Sequence, residues 1–87
     1  MGSKEFTRLC KEKVAEYTNS TKNEKSDVHI TADDVYVVWY CKTLQNHKAL
    51  LSTPISDGMY YECTYNGDTH ELYFDAYRKW QHVCHEI

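Results

Sequence analysis

The sequence predicts an α+β fold in two layers, an N-terminal helix packed on a four-stranded antiparallel β-meander. Three observations predict it. Residues 3–18 repeat their apolar side chains at three- and four-residue spacing, the period of a helix with one buried face. From Val35 onward the chain turns to short runs of β-branched and aromatic residues, the set that prefers strands. Polar clusters carrying Asn, Asp and Gly separate those runs and supply the turns. With 87 residues the chain is read as a single domain, 1–87.

Ser3 is placed to cap the helix. Phe6, Leu9, Cys10, Val14 and Tyr17 fall close to one face, and Lys4, Arg8, Lys11, Glu12 and Glu16 take the other. So narrow a stripe suits a helix lying on a sheet. No apolar residue occurs from Thr18 to Asp27, and 19–27 is read as a solvated polar linker. Val28 and Ile30 flank His29 in a short extended piece. Thr31-Ala32-Asp33-Asp34 is either a turn or a helix capping box. The strand-forming set Val35–Cys41 that follows argues against a helix there.

The meander is assigned to 33–85. Gln45-Asn46-His47-Lys48 is its first hairpin turn, with Asn46 suited to positive φ. Ala49–Ile55 returns as the second strand, and Pro54 marks its exit. Ser56-Asp57-Gly58 turns the chain again. Met59–Tyr65 is the third strand. Asn66-Gly67-Asp68 reads as a type I′-like turn. Thr69 to about Arg78 is the fourth strand. The segment beyond it has two readings. It continues as strand through Trp80 and Val83, or it forms a C-terminal helix, because Leu72, Ala76, Trp80 and Val83 also fit helical spacing.

A chain this short buries only about 60–65% of its unfolded surface, so its core is thin and a metal, a disulfide or an oligomer interface is a useful staple. Eight tyrosines and two tryptophans exclude a disordered chain. The net charge of −3 and the scattered Lys and Arg residues weigh against direct nucleic-acid binding, which needs a basic stripe. The charged first residues lack the apolar stretch of a secretory signal, and no apolar run reaches the ~18 residues of a membrane span. The four cysteines are accordingly expected to be reduced, as buried thiols or metal ligands.

One helix covers one face of a four-stranded sheet. Strict alternation puts Val35, Val37, Trp39 and Cys41 on one face of the first strand and Tyr36, Val38 and Tyr40 on the other. Met59, Tyr61, Cys63 and Tyr65 alternate against Tyr60, Glu62 and Thr64, while Tyr73 and Tyr77 share a face with Asp75. Neither face is polar, so something else must cover the second one: the C-terminal segment, a second copy or a partner. Tyr36, Tyr40, Tyr60, Tyr73, Tyr77 and Trp80 are the expected partner-binding residues, since Tyr and Trp dominate binding hot spots. The plainer reading is that the tyrosines cap the rim of the core with their hydroxyls in water.

His82, Cys84 and His85 lie within four positions of one another and form the one close set of soft metal ligands. A structural zinc ion takes four N or S ligands, and Cys10 on the helix is the natural further ligand. Alternatively Cys10, Cys41 and Cys63 are ordinary buried thiols, a common fate of free cysteine. A site shared across a homodimer also fits a terminal cluster. His29, His47 and His70 lie in or near turns and are read as solvated. There is no Gly-rich phosphate loop, HExxH or GxSxG, and an enzyme is not expected.

Thr31–Trp39, Lys42–Asn46, Lys48–Thr53, Asp57–Glu62, Thr64–Asp68 and Asp75–Trp80 together resemble a family of small uncharacterised proteins encoded by phages and prophages of Gram-positive bacteria, streptococci among them. The resemblance spans residues 4–85 and brings no catalytic residues with it. It does not include Cys41, Cys63 or His82–His85. It implies an inhibitor of host machinery working in the cytoplasm of the infected bacterial host. Most concretely it implies a type II-A anti-CRISPR protein that binds and blocks Cas9, or another host defence protein, by stoichiometric contact. The alternative is an accessory protein of phage DNA metabolism or regulation that binds nucleic acid directly. That alternative expects Arg78, Lys79 and Lys48 to cluster around Trp80 or Trp39.

Overall fold

A computed structural model describes residues 1–22, 29–80 and 83–86, without the side chain of Lys22. The elements are α1 (Ser3–Lys22), a short 3-10 helix (Ala32–Asp34), β1 (Tyr36–Thr43), β2 (Asn46–Ser52), β3 (Met59–Asn66) and β4 (Glu71–Arg78). The strands form one antiparallel sheet in the order β1-β2-β3-β4, the expected meander. No helix among the described residues is long and apolar enough to cross a membrane.

Helix α1 presents a single ridge to the sheet. Phe6, Cys10, Val14 and Thr18 recur at i, i+4 and all are buried, with Ala15 beside them. They meet Ala49 and Leu51 of β2 and Tyr61 and Cys63 of β3, and Ile30 and Val35 close the end of the same cluster. Leu9 is only half-buried and Tyr17 sits at the rim, so the ridge is narrower than the sequence spacing implies.

Four residues expected in the linker are helical instead. The amide of Asn19 explains the extension: its Nδ2 donates to the Ile30 carbonyl at 2.8 Å and its Oδ1 accepts from the Ile30 N–H at 2.9 Å. Asn19 thus pairs with Ile30 much as a strand neighbour would, and Thr18 is pulled into the core. Ser20 and Thr21 donate their hydroxyls to the Tyr17 carbonyl, each at 2.9 Å. The rest of the expected linker, 23–27, lies outside the described residues.

The Thr31–Asp34 capping box forms, with the Thr31 N–H donating to Asp34 Oδ2 at 2.8 Å. It starts only one 3-10 turn, because the strand-preferring run takes over at Val35 and Tyr36. Arg8 Nη1 reaches Asp33 at 3.1 Å and ties this turn to α1 on the surface.

The turns differ from expectation in where they place positive φ. The β1–β2 turn is Leu44-Gln45, and the residue with φ 56° is Leu44, not Asn46, which already pairs with Thr43. The β3–β4 loop spans residues 67–70 and carries its left-handed residue at His70, φ 57°, so it is not a type I′ turn. Asn66 Oδ1 accepts from the Asp68 N–H at 3.0 Å and starts that loop. Gly67 is needed for space: a Cβ there would lie 2.4 Å from the Gln45 carbonyl oxygen, where the two turns meet. Gln45 Nε2 and Asp68 Oδ1 join them by a hydrogen bond. Gly58, at φ 71°, makes the Asp-Gly turn before β3 as expected.

Leu44 is exposed and in a backbone region that costs a non-glycine residue roughly 1–2 kcal/mol. Leu44→Gly is expected to stabilise the chain by about 0.5–1 kcal/mol, the relief of strain less the added freedom of the unfolded chain. A higher urea midpoint at unchanged slope checks this.

β4 ends at Arg78. Residues 79–80 and 83–86 are neither strand nor helix, so neither reading of the C-terminal segment holds for the described residues. Among the described residues strands occupy 36–78, and residues 81–82 of the expected 33–85 lie outside the described residues.

Candidate interaction face

Pairing register decides which side chains share each face. On β1 the register shifts between Val37 and Trp39, so Val38 is an extra, bulged residue. Strict alternation therefore fails across it. Val37 and Tyr40 stand on the helix side, whereas Tyr36, Trp39 and Cys41 stand on the open side. Across the open side Trp39 faces Leu50, Leu50 faces Glu62, and Glu62 faces Asp75. One row over, Cys41, Lys48, Thr64 and Tyr73 lie in line; on the other flank Tyr36 faces Ser52, and Tyr60 faces Tyr77.

The face is aromatic and accessible. Tyr36, Trp39, Tyr73 and Tyr77 keep 50%, 42%, 50% and 51% of their surface in solvent. Tyr60 and Leu50 are half-buried between them. The charges are few and mostly engaged: Lys48 Nζ lies 3.4 Å from Glu62 Oε1, and Lys79 Nζ stands 5.6 Å from the centre of the Tyr60 ring. Rings of limited conformational freedom around a small polar centre make a surface suited to protein contact.

Of the six residues expected to bind a partner, Tyr36, Tyr60, Tyr73 and Tyr77 lie on this face. Trp80 follows β4 and is almost fully exposed. Tyr40 is on the other side, because of the bulge. Its hydroxyl meets His47 Nδ1 at 2.6 Å and lies 3.1 Å from Ser3 Oγ. His47 is buried rather than solvated: β2 begins at Asn46, so His47 points under α1 and stacks on Phe6 with ring centres 5.0 Å apart. Its Nε2 faces the Met1 carbonyl at 3.1 Å, an acceptor only. A carbonyl oxygen cannot donate, so Nε2 carries the hydrogen of that contact, while the Tyr40 hydroxyl donates to Ser3 Oγ. Trp39 and Leu50 are members of the face that alternation missed. One signal was available, β1 needing eight residues to span the seven of β2, but it appears only once the partner strand is known.

Three of the four expected zinc ligands lie among the described residues. Cys10 is fully buried on α1, while Cys84 and His85 are exposed, and His82 lies outside the described residues. No three His, Cys, Asp or Glu side chains gather in a metal-holding group among the described residues. Cys10 instead pairs with Cys63 of β3. Its thiol is pushed above the ordinary range by the hydrogen bond to Cys63 and by burial. That same hydrogen bond draws Cys63 down against its own burial. Both sulfurs are sealed in the core, whereas Cys41 and Cys84 are exposed. A thiol reagent is therefore expected to modify two cysteines quickly in the folded protein and all four after denaturation. Three or more fast thiols in the folded state would contradict this packing.

The cations named for nucleic-acid contact do not converge on one ring. Lys48 is paired with Glu62, Lys79 lies over Tyr60, and Arg78 faces Met59 on the helix side.

Among known proteins, the model of a family of unknown function, DUF6275, matches residues 7–87. No curated protein and no solved structure matches the chain.

Proposed function

The chain belongs to the DUF6275 family, and we propose that it acts by stoichiometric protein–protein contact through the open face of its sheet. The target in this proposal is a host defence protein, with Cas9 the specific choice. One observation carries the binding reading: Tyr36, Trp39, Tyr73 and Tyr77 remain about half exposed on one continuous face, while α1 covers the opposite one. Exposed aromatic patches of this kind mark interaction sites, and on a solitary chain they are a liability for solubility. The choice of Cas9 rests on the resemblance to streptococcal phage proteins and on nothing else. The facing carboxylates of Glu62 on β3 and Asp75 on β4 favour a protein target over a phosphate backbone.

Mixing the purified chain with a streptococcal Cas9–guide complex tests the proposal. Co-elution and arrest of target cleavage near equimolar ratio are the expected results. Separate elution with cleavage unchanged removes Cas9 as the target.

A further inference from the structure

We propose that β4 is a self-pairing edge, through which two copies of the chain join into one continuous eight-stranded sheet. The two sheet edges are built differently. β1 carries the Val38 bulge, a device that disrupts pairing with a further strand. β4 pairs with β3 in unbroken register over all of Glu71–Arg78 and contains no Pro, Gly or Lys. Among the described residues it therefore presents an unbroken row of backbone donors and acceptors, with Glu71, Asp75 and Arg78 as its charged side chains. The helix leaves this edge thinly covered. On the helix side Leu72 and Phe74 are half-buried and Ala76 is exposed. Phe74 floors a hollow of about 340 Å³ lined also by Lys13, Glu16, Tyr17 and Ser20.

A second copy fits this edge in one register best. Antiparallel pairing of identical strands about a two-fold axis normal to the sheet keeps each side chain on its own face. Open-face residues then meet open-face residues. With Phe74 on the axis, Phe74 meets its own copy, Leu72 meets Ala76, Tyr73 meets Asp75, and Glu71 meets Tyr77. Seven of the eight strand residues find partners, each apolar residue on the helix side meets another, and each carboxylate faces a tyrosine hydroxyl. Shifting the axis to Asp75 sets two aspartates against each other and Leu72 against Arg78. Shifting it to Tyr73 sets Glu71 against Asp75 twice. Like charges directly opposed are destabilising, so both shifts are disfavoured. The occupant of the edge is thus a second copy, paired through Tyr73 and Asp75.

Sedimentation of the full chain tests the register. The wild type is expected at twice its 10.3 kDa chain mass. Tyr73→Asp places two aspartate pairs across the axis and should weaken the dimer on the order of tenfold or more. Adding Asp75→Lys to Tyr73→Asp turns both clashes into ion pairs and should restore the dimer. Far-UV circular dichroism should match the wild type in both variants, since positions 73 and 75 are exposed and their partners on β3 are Thr64 and Glu62. A wild type that stays monomeric at its highest soluble concentration, or that dimerises only with a different protein, overturns the proposal. So does a dimer indifferent to Tyr73→Asp, or a double variant that stays monomeric.

Discussion

Tyr61→Ala is expected to cost about 3–5 kcal/mol of folding stability, the loss typical of a large buried aromatic cut to alanine. Tyr61 is the largest fully buried side chain among the described residues. Its ring bridges α1, β3 and β4. It lies 5.8 Å from Tyr17 on α1 and 5.8 Å from Phe74 on β4, and its own backbone belongs to β3. Its hydroxyl is 3.5 Å from Thr18 Oγ1, at the end of the helix ridge. The thin second layer has little freedom to collapse into the gap, because Cys10 and Val14 of the same ridge are already packed in the buried cluster with Leu51 and Cys63. A chain of this length has a total stability of roughly 4–13 kcal/mol, so the variant should lose a large share of it. Urea unfolding followed by circular dichroism gives the number. Tyr61→Phe keeps the ring and should lose less, about 1–3 kcal/mol, because the buried Thr18 hydroxyl is deprived of its contact with the Tyr61 hydroxyl. A loss below 1 kcal/mol for the alanine variant would mean that Tyr61 does not join helix to sheet.

The helix, the four strands and their order were legible because each rests on local signals. The Phe6-Cys10-Val14 ridge, the β-branched run from Val35 and the Asp57-Gly58 turn need no knowledge of the rest of the chain. What escaped the sequence depends on distant residues. Asn19 extends α1 only because Ile30 arrives beside it. His47 is buried only because β2 begins one residue before it and α1 lies above. The Val38 bulge exchanges Trp39 for Tyr40 on the open face, and it exists only through pairing with β2. Register is a property of two strands, and a shift of one residue reverses every face beyond it. The tyrosines of β3 and β4 were assigned correctly because no bulge separates them.

Trp39→Ala is expected to weaken binding to the protein target by roughly thirtyfold or more, the range of a central aromatic hot spot. Trp39 is the largest side chain on the open face and stands against Leu50 at mid-length of β1. Partly covered already, it surrenders little freedom on docking, which is what makes a rigid ring effective at an interface. Folding should suffer much less than binding, because Trp39 keeps 42% of its surface in solvent and its cross-strand neighbour Leu50 is half-buried. Titration calorimetry against the target, beside urea unfolding of the same variant, separates the two effects. Unchanged affinity would move the docking site away from this face. Trp39 lies on β1, at the edge opposite β4, so the variant leaves the self-pairing edge intact. Loss of target binding with the dimer preserved, and loss of the dimer in Tyr73→Asp, would then locate two contacts on opposite flanks of one sheet.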